Sequence, residues 1–201
     1  MIHLDHVAFA YPGQPPVLAD VSLHLERGDL VCLCGPSGCG KSTTLDVVAG
    51  LRTPQSGSRQ VESRRLGYAF QEPHLLPWRT VADNVRLGVR GWLNAAEAAV
   101  AADEWLARLG LTAARAKRPG ELSGGMRRRV NLARAFAVRP EILLLDEPFA
   151  FLDDEACQAV VDSARTLHAS GVTVLMVSHV RAWAETLSCR ILTVPAAPVR
   201  L

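Results

Sequence analysis

The stretch Gly35-Pro36-Ser37-Gly38-Cys39-Gly40-Lys41-Ser42 decides how the rest of the chain is read. It fits the pattern G-x-x-x-x-G-K-[ST] and lies between an apolar run, Leu30 to Cys34, and a helical pattern, Thr43 to Ala49, that Gly50 closes. Glycines let the backbone bend so that its N–H groups turn inward around phosphate oxygens. The helix N-terminus after Gly40 adds partial positive charge. Lys41 brings a full charge to the β- and γ-phosphates, and the Ser42 hydroxyl suits Mg²⁺. A purely structural glycine turn is the alternative, and the strand–turn–helix setting argues against it.

The second half of such a site is an acidic group at the end of a buried strand, and Ile142-Leu143-Leu144-Leu145-Asp146-Glu147-Pro148 supplies one. Asp146 reads as a carboxylate that holds Mg²⁺ through water, and Glu147 as a general base or water orienter beside the γ-phosphate. His179 directly follows the apolar run Val172–Ser178. Parallel topology puts it at the same sheet edge, where a ligand-facing role is favoured. His3, His6, His24, His74 and His168 have no such setting and read as surface or packing residues.

Outward from these segments, Ile2, Leu4, Val7 and Phe9 predict a first strand, ended by the turn residues Tyr11 to Pro16. Val21, Leu23 and Leu25 predict a second strand that stops near Gly28. Buried strands are expected at Leu30–Cys34, Glu141–Leu145 and Val172–Val177, further strands at Leu66–Phe70 and Cys189–Val194, and a helix at Asp154–Ala169. This alternation predicts an α/β fold with a mostly parallel sheet covered on both faces. From Thr80 to Val138 the pattern is nearly all helical. Ala98, Ala102, Trp105, Leu106 and Leu109 share one face and read as a stripe packed on the chain's own domain.

The chain has 201 residues, 49% hydrophobic and 21% charged, which excludes a disordered or fibrous protein. Lys plus Arg at 22 against Asp plus Glu at 20 leaves a net charge of +2, too little for a general nucleic-acid or acidic-lipid field. No apolar run approaches the roughly 18 residues of a membrane helix. The segment from Met1 to His6 lacks the basic and apolar regions of a secretory signal. The five cysteines have no framework spacing, and Cys32 and Cys34 read as small strand residues rather than metal ligands. These features predict one soluble, cytoplasmic unit with no nucleic-acid partner.

Leu122-Ser123-Gly124-Gly125-Met126, between the two phosphate motifs, is similar to the LSGGQ signature of ATP-binding-cassette (ABC) ATPases. The resemblance covers essentially the whole chain. It implies a P-loop NTPase (RecA-like) core, residues 1–72 and 139–201, with an antiparallel β subdomain, and an inserted helical subdomain, residues 73–138, that carries the signature. Tyr11 resembles the residue that stacks on adenine. Gly35 to Ser42 and Thr43 resemble the loop around the ATP phosphates, Gln71 the glutamine that touches Mg²⁺ and the attacking water, Asp153 the D-loop aspartate and His179 the switch histidine. Ser42, Gln71 and Asp146 are thereby the Mg²⁺ residues. Ser123, Gly124 and Gly125 open an expected helix Met126–Val138 whose amides cap the nucleotide of a second cassette.

Gln71 to Val85 narrows the resemblance to import ATPases of the nitrate, sulfonate and taurine type. This implies an ATP-hydrolysing importer subunit, a homodimer or paired cassette, on the cytoplasmic face of the cell membrane. Its implied partners are integral permease subunits and a periplasmic or extracellular solute-binding protein. Leu75, Leu76 and Trp78 then form an exposed docking surface; the other reading packs Trp78 on the helical insert. A non-transport ABC protein and an ATP-dependent switch are rival readings. Departures from the family include a short Ser42–Gln71 stretch, expected to trim the outer β-hairpin region, Arg128 where a glutamine is common, and Phe151, in place of a usual small residue, near the expected dimer seam.

Overall fold

The computed structural model describes residues 1–195 and 198–201. In chain order, β1 (Ile2–Ala10), β2 (Pro16–Leu25) and β3 (Leu30–Cys34) precede α1 (Lys41–Ala49). Next come β4 (Ser56–Val61), β5 (Leu66–Ala69), α2 (Val81–Gly88), α3 (Ala95–Arg108) and α4 (Gly124–Ala137). The chain continues through β6 (Ile142–Asp146), α5 (Asp154–Ala169), β7 (Thr173–Ser178), α6 (Arg181–Thr186) and β8 (Arg190–Thr193). A five-stranded sheet of order β5-β6-β7-β3-β8 is parallel at every pairing; β2-β1-β4 is antiparallel.

Strand alternation builds a core on each face of the parallel sheet. Ile142 and Leu144 of β6 point into a cluster with Leu4, Val21, Leu25 and Leu45, between the parallel sheet, the antiparallel sheet and α1. Leu143 and Leu145 point the other way, among Phe136, Val160 and Val85 from the helices. All four β6 side chains are fully buried, as the unbroken apolar run requires. The stripe Ala98, Ala102, Trp105, Leu106 and Leu109 is buried in the helical cluster.

The expected α5 matches to the residue, and Gly50, at φ 77°, ends α1 as the sequence indicates. Elsewhere the structure corrects the sequence reading. β2 begins at Pro16, inside the expected turn; Val17 and Ala19 exchange backbone hydrogen bonds with Val199. A proline suits the first position of a strand, where no ladder N–H is needed. The helix expected at Met126 begins at Gly124, because the Ser123 hydroxyl caps it by accepting from the Met126 N–H at 3.2 Å.

Leu75 and Leu76 are half-buried rather than exposed, and Leu75 packs against the helical cluster. The cause is buried Asn84 of α2. Its Oδ1 accepts the Leu76 N–H at 2.7 Å, and its Nδ2 donates to the Leu76, Arg79 and Thr80 carbonyls. That anchoring leaves Trp78, 67% exposed, as the apolar residue on show, against the reading that packs it on the insert.

β4 gave no sequence signal. It is a largely exposed strand, Ser56-Gly57-Ser58-Arg59-Gln60-Val61, paired to the free edge of β1, so no apolar alternation is needed. It also contributes Arg59, whose guanidinium caps α1 by donating to the Val47 and Val48 carbonyls.

Candidate active site

Because their strands run parallel, β3, β5, β6 and β7 bring their C-terminal ends to one edge of the sheet. There β3 runs into Gly35, β5 into Phe70 and Gln71, β6 into Glu147 and β7 into His179. Segments far apart in the chain thereby meet at one place.

The turn after β3 closes tightly. Gly38 and Gly40 have φ of 76° and 106°, in the left-handed region. A Cβ on Gly40 would also fall 2.8 Å from the Val199 side chain and 2.9 Å from that of Val17. α1 starts at Lys41 with no side-chain cap, so its first amides are available to an anion. The Lys41 ammonium donates to the Gly35 and Pro36 carbonyls, each at 2.8 Å, which holds it inside the loop. Cys39 is buried behind it.

Ser42 joins this loop to the acidic pair, its hydroxyl donating to Asp146 Oδ1 at 3.0 Å. Asp146 is 3% exposed. Burial pushes its carboxyl up to about 6; the Ser42 hydrogen bond opposes the rise, Glu147 adds to it and the Arg128 guanidinium opposes it. A buried carboxylate joined to a hydroxyl is an all-oxygen donor set that fits a hard divalent cation.

Glu147 adopts φ 47°, a left-handed conformation that a non-glycine residue holds only against strain. Its N–H donates to the Val177 carbonyl at 3.0 Å. Its carboxylate accepts from His179 Nδ1 at 2.9 Å and from the His179 N–H at 3.3 Å. An ionised carboxylate only accepts, so the Nδ1 proton lies toward Glu147 and Nε2 is left for another partner. The pair fixes a carboxylate orientation suited to receiving a proton from an incoming water.

A cleft of about 290 Å³ is lined by Tyr11, Ser37, Gly38, Gly40, Lys41, Ser42, Thr43, Gln71 and Glu147. The Tyr11 hydroxyl lies 3.3 Å from Thr43 Oγ1, and Phe9 meets the ring edge-on. Two further residues there had no sequence signal. Val17 lines the cleft from the start of β2, and the Arg52 guanidinium lies 5.1 Å over the Tyr11 ring.

Ser123, Gly124, Gly125 and Asp153 do not line this cleft. Ser123 and Gly124 are exposed at the N-terminus of α4. A Cβ on Gly125 would sit 2.8 Å from the Phe151 carbonyl oxygen, so glycine permits that approach. Asp153 caps α5 by accepting the Ala156 N–H at 2.8 Å. The Phe151 ring beside these residues is 85% exposed.

The ABC transporter family model matches residues 18–150. The chain is 41% identical over 210 aligned positions to the nitrate import ATP-binding protein NrtC of Synechococcus elongatus, covering 97% of this chain and 32% of that protein. It is 38% identical to the nitrate import ATP-binding protein NrtD of the same organism, over 89% of this chain and 70% of the relative. It is 39% identical to the taurine import ATP-binding protein TauB of Escherichia coli O157:H7, over 89% of this chain and 73% of the relative. The chain thus spans about a third of the length of NrtC and somewhat over two thirds of the other two. Among solved structures, the dimeric structure of MJ0796, a bacterial ABC transporter cassette, superposes with a TM-score of 0.89 at 30% identity, covering 97% of this chain and 94% of that one. A post-hydrolysis dimer of MJ0796 bound to ADP and Pi superposes at 0.88 and 28% identity, covering 100% and 98%. Matched over residues 18–150, a span that holds the phosphate loop, the signature helix and the acidic pair, the chain belongs to the ABC transporter family.

Proposed function

We propose that this chain hydrolyses ATP to drive uptake of a small anionic solute through membrane partner subunits. One observation carries the reading. The phosphate loop, Gln71 and the Glu147–His179 pair share one sheet edge, whereas Ser123 caps an exposed helix end outside their cleft. A second cassette, set head to tail, supplies that end to the nucleotide held by the first, so hydrolysis follows association. Tyr11 stacks the base. Gly35 to Lys41, with Thr43, surround the phosphates; Gly124 and Gly125 lend amides beside Ser123, and Asp153 lies at the seam. Ser42, Gln71 and Asp146 hold Mg²⁺, which supplies charge neutralisation at the phosphates. Glu147 takes the proton of the attacking water and His179 orients it. Residues 1–72 and 139–201 act as the nucleotide-binding core, and 73–138 as the helical unit.

Relatives named for nitrate and taurine import support a small solute that carries an anionic group, the nitrate ion itself or a sulfonate. No helix among the described residues is long and apolar enough to cross a membrane, and on this reading partner subunits provide the path for the solute. Exposed Trp78 suits the docking of a permease helix, on the cytoplasmic face of the membrane, with an external solute-binding protein delivering the solute. The test is recovery of the tagged chain from detergent-solubilised membranes of its own cells. An integral membrane protein should co-purify with it, and Trp78→Ala should cut that recovery severalfold while leaving nucleotide binding intact. Recovery of the chain without any membrane protein would overturn the transport reading.

A further inference from the structure

Arg128 is the departure in the signature helix, and the structure gives it an unusual position. It lies on α4, little more than one turn past the Ser123 cap, and is 3% exposed. Its Nη1 donates to the Phe70 carbonyl at 3.0 Å and reaches the Asp146 carbonyl at 3.4 Å. These are the residues immediately before Gln71 and Glu147. The same face of α4 extends the grip. Asn131 Nδ2 donates to the Phe70 carbonyl at 2.7 Å, and Arg134 donates to the Pro73 and His74 carbonyls at 2.7 and 3.0 Å.

A buried guanidinium is costly, and desolvation lowers the Arg128 pKa while the Asp146 and Glu147 charges support it. An apolar residue of similar volume fills such a place at lower cost. The carbonyls it spans belong to two separate chain segments, and each segment carries one residue of the proposed hydrolytic set. Resting on the roles given above to Gln71 and Glu147, we infer that Arg128 is a positioning residue. It ties both segments to the signature helix, so that displacement of the Ser123 end is transmitted to the residues that handle the attacking water.

The test compares Arg128→Met and Arg128→Lys with Arg129→Met in the full chain. Arg129 is a suitable control because its Nη1 also donates to a backbone carbonyl, that of Leu109, away from the cleft. For Arg128→Met, kcat should fall about tenfold or more with KM for ATP held within about twofold, and Arg128→Lys should fall between it and the wild type. Amide exchange at residues 70–72 and at Asp146 and Glu147 should quicken together in Arg128→Met and stay unchanged in Arg129→Met. If Arg128→Met does not fold, Arg128→Lys decides, since the shorter lysine side chain holds its ammonium short of the place of Nη1, the one nitrogen that meets both carbonyls: kcat should drop about threefold at constant KM. Native kcat in the Arg128 variants, unchanged exchange at both segments, or an equal loss in Arg129→Met would overturn the inference. Turnover by Glu147→Gln would instead overturn the underlying assignment of the base.

Discussion

Asp146 is a residue whose fitness for ligand binding works against the stability of the free protein. Its folded pKa of about 6 lies above the ordinary carboxylate value, so the folded state binds the proton more tightly than the unfolded chain does. The stabilisation belonging to the protonated form is complete below about pH 4 and is lost as pH rises through 6. Asn in its place keeps the shape and the hydrogen bond to Ser42 without the charge. Asp146→Asn should therefore stabilise the nucleotide-free protein, on the order of 2–3 kcal/mol above pH 6.5, with the gap closing toward pH 4. Urea unfolding midpoints across that range measure it, and an equal gap at pH 4 and pH 8 would refute the cause. The same variant should hydrolyse ATP poorly.

At the scale of elements, the decisive local device is the anchoring of residues 76–80 by Asn84. A fully buried amide that serves both partners of one segment and two more carbonyls leaves several polar groups stranded when removed. Asn84→Ala should cost about 2–3 kcal/mol by urea denaturation. It should also hasten tryptic cleavage after Arg79; cleavage at the wild-type rate would show that the segment is held by other means. This device was hidden in the sequence, where Asn84 sits unmarked in a helical pattern and Leu75 and Leu76 read as exposed. The buried strands were legible because a parallel sheet covered on both faces demands unbroken apolar runs, as at Ile142–Leu145. β4 was illegible for the opposite reason: an edge strand satisfies its backbone on β1 and leaves its side chains in water. In the site, the phosphate loop, acidic pair and His179 could be read because charge and backbone geometry fix residue type there. Val17, Arg52 and the two bonds of Arg128 depend on tertiary approach, which no local spacing encodes.

For the whole molecule, the proposed mechanism makes association and hydrolysis two phases of one cycle. Glu147→Gln should bind ATP and Mg²⁺, turn over at least about a hundredfold more slowly, and accumulate as a dimer. Light scattering with ATP should then give twice the monomer mass, and ADP should not; a monomer under both conditions would exclude the head-to-tail arrangement. The approach of Gly125 to the Phe151 carbonyl has a mechanical corollary. The first turn of α4 and the turn after β6 are seated on each other, with the Leu152 side chain alongside. A neighbour that grips the bare phenyl ring would therefore grip a handle bolted to the glycine turn, and a tug on either would drag the other.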